Sequence, residues 1–208
     1  MYLYVRSRQL QNDADVDWAA AVRARMAEVT GNDVRLWEKA YSPGTGTVRW
    51  TSWWDDLATL DRAVGGLRDD DAYSQLARDG AASAVGPADD VILGVVHGDP
   101  AVEMSSRYVR SLEAVGAQGT LDRGLTSGVE ILKKSEEITG VPSLFVRAVT
   151  GTMGAFAWLS GYPDLGTFQA TNEKLLTGST WLWFRDRHAE GLSGSPMQMA
   201  LYRRVDNQ

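Results

Sequence analysis

The chain has no cysteine, which excludes disulfides, thiolate metal sites and a cysteine nucleophile. It has two histidines, His97 and His188, too few for a histidine-rich metal site; no metal is expected. It has no surplus of positive charge: the formal net charge is −6, and no run of Lys and Arg is interleaved with aromatics. A nucleic-acid backbone is therefore not the expected partner. No apolar run approaches the roughly eighteen residues that a membrane-spanning helix requires. Met1-Tyr2-Leu3-Tyr4-Val5-Arg6 lacks the basic flank and apolar core of a secretory signal. The expectation is a soluble, cytoplasmic protein. A phosphate-cradling loop is also missing, because Gly44-Thr45-Gly46 precedes a strand rather than a helix. Gly191-Leu192-Ser193-Gly194-Ser195 fails as a nucleophile elbow, since its fifth position is Ser and it follows a helix.

What is abundant is tryptophan, eight in 208 residues, and aromatic side chains fill cores or line ligand cavities. The chain also repeats itself. Tyr4-Val5-Arg6-Ser7 recurs as Tyr108-Val109-Arg110-Ser111, and Glu28-Val29-Thr30-Gly31 as Glu137-Ile138-Thr139-Gly140. Trp50, Ser52 and Trp54 find Trp158, Ser160 and Tyr162, and Asp56-Leu57-Ala58-Thr59 finds Asp164-Leu165-Gly166-Thr167. Their common order and nearly constant spacing establish a duplication. The expected halves are residues 1–102 and 103–208, joined at Gly98-Asp99-Pro100, too short for a flexible tether.

Each half reads β-α-β-β-α-β. In the first, strands are expected over 2–8, 34–41 and 47–53, with a turn at Ser42–Gly46. A helix opens near Asp13 or Asp15, carries Trp18, Val22 and Met26 on one stripe, and stops at Gly31. A second helix covers 57–82, and Val91–Val96 is an apolar run suited to a strand covered on both faces. The second half repeats this plan: strands over 107–112, 144–150, 155–160 and 197–204. Its first helix is striped by Leu121, Leu125, Val129 and Leu132. Its last covers 165–190, with Gly178 as a candidate break.

A four-stranded sheet with both helices on one face leaves the other face bare, and an apolar bare face must be buried. The fold class expected is α+β: two tandem ferredoxin-like β-α-β-β-α-β repeats packed sheet to sheet as an α/β barrel. The duplicated halves, with Ser179–His188 on the last helix, resemble the dimeric α/β barrel superfamily. That superfamily includes antibiotic-biosynthesis monooxygenases, haem-degrading monooxygenases, chlorite-dismutase-like proteins and small polyketide cyclases. In many of its monooxygenases an aromatic residue precedes a histidine by one turn, as Phe184 precedes His188. The haem-degrading members add a histidine ligand to iron and a tryptophan that bends the porphyrin. Gly178 stands ten residues before His188, so that tryptophan has no counterpart there.

His188 is the leading catalytic candidate, as an iron ligand or a general acid/base; the plainer alternative is a surface histidine at a helix C-terminus. His97 reads as a loop residue. Arg6 and Arg110 share a place in the repeated Tyr-Val-Arg-Ser, and alternation puts both under the helices. A buried arginine there wants a carboxylate, from a ligand or from its own helix; Arg110 is the second catalytic candidate and Arg6 a substrate contact. Trp158 and Tyr162 near the third strand of the second half, with Trp181 and Trp183, are candidate substrate-binding aromatics, plain core packing being the alternative. Trp181 and Trp183, two apart on a helix, cannot share one stripe.

The resemblance implies a small-molecule enzyme, a cofactor-independent monooxygenase or a cyclase acting on a flat aromatic or polyketide-like substrate. It would act as a monomer or homodimer with no cofactor, haem being the exception in one branch. The alternative is a non-catalytic ligand- or haem-binding protein.

Overall fold

Asp-Leu-x-Thr opens a helix in each half. Asp56 accepts a hydrogen bond from the Thr59 amide at 2.8 Å and Asp164 from that of Thr167 at 2.7 Å, which satisfies donors that a helix start leaves free. In the computed structural model, which describes residues 1–11, 16–43, 46–116, 119–188 and 197–205, these caps begin α2 (Leu57–Asp69) and α6 (Leu165–Thr177). The first helices of the halves, α1 (Val16–Thr30) and α5 (Leu121–Thr139), both end at a glycine in the left-handed region: Gly31 at φ +64° and Gly140 at φ +71°. Each glycine amide then donates to a carbonyl four residues back. Asp13, Asp15, Gly44 and Thr45 lie outside the described residues.

The strands are β1 (Tyr2–Leu10), β2 (Val34–Ala40), β3 (Thr47–Trp54) and β4 (Ala84–His97), then β5 (Tyr108–Val115), β6 (Ser143–Ala148), β7 (Ala155–Tyr162) and β8 (Gln198–Arg204). In sheet order they run β4-β1-β3-β2 in the first half and β8-β5-β7-β6 in the second. That is one antiparallel ferredoxin-like plan used twice, and the chain is α+β. It forms two compact units, Met1–Leu93 with Tyr202–Gln208, and Gly94–Leu201.

The second helix of each half is broken in two. In the first, the break falls at Asp70, between α2 and α3 (Asp71–Asp79). Its amide ends α2 on the Leu67 carbonyl, while its carboxylate accepts from the Tyr73 amide at 2.6 Å and starts α3. Arg25 of α1 clasps the same carboxylate. In the second half the break falls at Gly178, before α7 (Ser179–His188). The expected continuous helix over 57–82 is thus corrected, because one aspartate serves both helix ends. Hydrogen bonds from Arg25, then from the Tyr73 amide, lower the Asp70 pKa to about 2. Its ion pair therefore stabilises the fold fully above the ordinary aspartate pKa of about 3.9 and is lost as pH falls through 2. Asp70→Asn keeps the cap and removes the charge. Its melting temperature should fall below wild type at pH 7, and the gap should close near pH 2 in a series of thermal melts.

β4 is longer than its apolar run, because Gly86, Pro87 and two aspartates continue the strand with exposed side chains. A short helix absent from the sequence reading, α4 (Ala101–Ser105), lies on β7. Gly161 permits that approach, since a Cβ there would overlap the Ser106 hydroxyl.

Candidate functional site

Trp50 and Trp158 perform the same task in the two units. Each is buried on the third strand, and each indole N–H donates at 2.9 Å to a carbonyl of the first helix, that of Ala19 and that of Gly128 respectively. This bond aligns α1 with α5 residue by residue, so that Trp18 matches Ser127. The matching breaks align α3 with α7, so that Tyr73 matches Trp181, Leu76 matches Phe184, and Gly80 matches His188.

In the first unit Trp18 meets Trp50 edge to face at 5.7 Å and donates to the Leu76 carbonyl at 2.8 Å. Its indole lies so close to Gly80 that a Cβ there would overlap it. The second unit has made the opposite exchange: Ser127 for the indole and His188 for the glycine. The His188 ring lies against Phe184, centroids 4.3 Å apart. Its Nδ1 is 3.1 Å from a Glu130 carboxylate oxygen of α5, and its side chain is 21% exposed. Gly80→His should therefore destabilise the protein by about 1–3 kcal/mol through overpacking, and adding Trp18→Ser should recover most of that in a double-mutant cycle of urea unfolding.

The arginines are not equivalent. Arg6 on β1 lies opposite Trp50, whereas on β5 Leu112 lies opposite Trp158 and Arg110 lies opposite Ser160, the partner that Tyr4 has in Ser52. The Tyr-Val-Arg-Ser match is thus out of structural register by two residues, and the shared place inferred from sequence is corrected. A two-residue slip preserves which face each side chain takes, so the alternation pattern is blind to it. Both arginines do point under their own helices. Arg6 Nε and Nη2 hold Asp90 of β4 in a two-point ion pair, both at 2.7 Å, and Nη1 reaches the Tyr73 hydroxyl. Asp90 belongs to a strand, not to a helix as anticipated.

Among the described residues Arg110 has neutral partners alone. Nη1 donates to Asn172 Oδ1 of α6 at 3.2 Å and Nη2 to the Ser160 hydroxyl at 3.4 Å. Its buried Nε has no hydrogen-bond partner among the described residues. Tyr162 is fully buried, its ring centroid 6.0 Å from the Arg110 guanidinium carbon and in edge contact with Phe168. Burial raises its pKa, opposed by the Arg110 charge and then by a hydrogen bond with the Ser160 side chain.

The predicted residues thus fall into groups. Arg110 and Tyr162 come together with Asn172 and Ser160, which the sequence reading missed. Trp158 stacks on Phe145 at 5.0 Å, and Trp181 and Phe184 pack against this core, with His188 beside Phe184. Trp183 points the other way, 60% exposed, beneath the Arg187 guanidinium, so the two tryptophans divide as their spacing requires. Arg6 sits in the other unit with its own partners. A surface cleft of about 310 Å³ at the β6–β7 hairpin, lined by Leu121, Arg147 and Met153 among others, contains none of the predicted residues. Glu190 and Gly191–Ser195 lie outside the described residues.

Phe184, beside His188, packs against the core of Trp158, Phe145, Ile131 and Leu132, and no group of three or more side chains that could hold a metal ion occurs among the described residues. No described helix is long and apolar enough to cross a membrane.

No protein-family model matches the sequence, and no curated protein does. Solved structures do. A proposed monooxygenase of Fusobacterium nucleatum superposes with a TM-score of 0.68 at 8% identity, over 99% of this chain and 92% of the other. A second proposed monooxygenase, from Lactobacillus acidophilus, gives 0.63 at 6% identity, over 98% and 93%. A ferredoxin-fold protein of Listeria monocytogenes, related to antibiotic-biosynthesis monooxygenases, gives 0.55 at 10% identity, over 100% and 96%. The chain has the dimeric α/β barrel fold. At these identities the likeness establishes the architecture of this barrel-fold protein and leaves its chemistry to its own residues.

Proposed function

We propose that this dimeric α/β barrel protein is a cofactor-independent monooxygenase acting on a flat, weakly acidic aromatic substrate, with its site under the helices of the second unit. The observation that carries this reading is the paired exchange of Trp18 and Gly80 for Ser127 and His188. The second unit has given up a core indole and gained a titratable ring oriented by a carboxylate. A base held by a second group is the arrangement that proton abstraction needs. His188, with Nδ1 fixed by Glu130, removes a proton from an activated C–H of the substrate. The resulting carbanion passes electrons to dioxygen, so that a CH₂ becomes C=O and the second oxygen atom leaves as water. Arg110 and the aromatic side chains Tyr162 and Trp181 orient the substrate, and exclusion of water protects the anion.

The reading is further supported by the monooxygenases among the structural neighbours. An anthrone oxidase-like protein also superposes, with a TM-score of 0.62 at 6% identity, over 99% of this chain and 91% of the other. The protein would work free in the cytoplasm, as a monomer or homodimer. Anthrone is the probe. Oxygen uptake in the presence of a chelator should match anthraquinone formed, one to one, at a rate well above the spontaneous reaction. A rate equal to the protein-free control overturns the proposal.

A further inference from the structure

The duplication offers an internal comparison for the charge of the ligand. In the first unit Tyr4 stands opposite Ser52 on the sheet, and its hydroxyl lies within the influence of Asp90. Asp90 is itself held by Arg6, so every charge in that cluster has a countercharge. The second unit has replaced both the tyrosine and the arginine. Arg110 takes the Tyr4 place opposite Ser160, and Leu112 takes the Arg6 place opposite Trp158. Asp90 gives Arg6 a carboxylate partner in the first unit, whereas Arg110 has none among the described residues of the second.

The outcome is a half-buried guanidinium with neutral acceptors on Nη1 and Nη2, no acceptor on Nε, and no acidic partner among the described residues. Burying a cation without an anion is costly, and the free Nε edge of a guanidinium matches a carboxylate in two-point geometry. The surrounding side chains are apolar and aromatic: Tyr108, Tyr162, Phe168 and Leu201.

We propose that Arg110 binds the carboxylate of a small aromatic acid, the anionic partner that its neighbours in the protein do not supply. This rests on the reading that the second unit holds a small-molecule site, and it specifies the chemical class of the ligand. Asn172 and Ser160 fix the guanidinium, and Tyr162 supplies a hydroxyl donor beside it.

The test compares 2-naphthoate with its neutral analogue 2-naphthamide by isothermal titration calorimetry. The acid should bind about tenfold or more tightly than the amide. Arg110→Gln should abolish that preference. Equal binding of acid and amide, absence of acid binding up to its solubility limit, or an acid preference that survives in a folded Arg110→Gln protein would each overturn the proposal. None of these readouts needs turnover. Charge-selective binding without oxygen uptake refutes the monooxygenase reading alone; oxygen uptake without charge selectivity refutes this one alone.

Discussion

His188→Gln is expected to lower the rate of anthrone oxidation by about a hundredfold or more, the usual contribution of a positioned general base, while the protein stays folded. The side chain lies at the end of α7 with Glu130 and Phe184 as its partners among the described residues, and glutamine preserves much of its volume. Glu130→Gln should cost less. The carboxylate touches no reacting atom and acts by fixing the ring, so its loss should be felt chiefly in kcat, with KM nearly constant. A surface histidine that merely complements the helix end would give neither result. Oxygen uptake by the two variants, alongside far-ultraviolet circular dichroism to confirm folding, separates the cases.

Trp50→Ala should be the most damaging substitution for stability, costing about 3–5 kcal/mol. The indole is 1% exposed, donates to the Ala19 carbonyl and receives the edge of Trp18. Removing it empties the junction of β3 with α1 and leaves Trp18 without its neighbour. Trp50→Phe should cost distinctly less, since it loses the bond to the helix but retains most of the packing. Urea unfolding would record the difference as a lower midpoint. Near-equal midpoints for Trp50→Ala and wild type would contradict the packing described for this core.

The duplication, the order of elements and the two buried tryptophans were legible in the sequence, because they rest on spacing and on strong punctuation by glycine and aspartate. The break at Asp70 was hidden: aspartate in a helical stretch reads as a solvated charge, and only the convergence of Arg25 and Tyr73 on it shows a cap. The slip between Arg6 and Arg110 was hidden more deeply. Identical tetrapeptides proposed one alignment, whereas the pairing with β3 and β7 enforces another. Ser127 could have been found by extending the match of Glu28 with Glu137 back to Trp18. Asn172 and Glu130 carry no local signal, since single polar residues on a helix are ordinary until a partner across the fold is known.

The reciprocal sizes of Trp18 with Gly80 and of Ser127 with His188 also constrain how the copies diverged. A form with both positions large collides with itself, while a form with both small has only a void to tolerate. Either pair converts to the other through a form that is overpacked or one that carries a void, so each single change costs stability that the second restores.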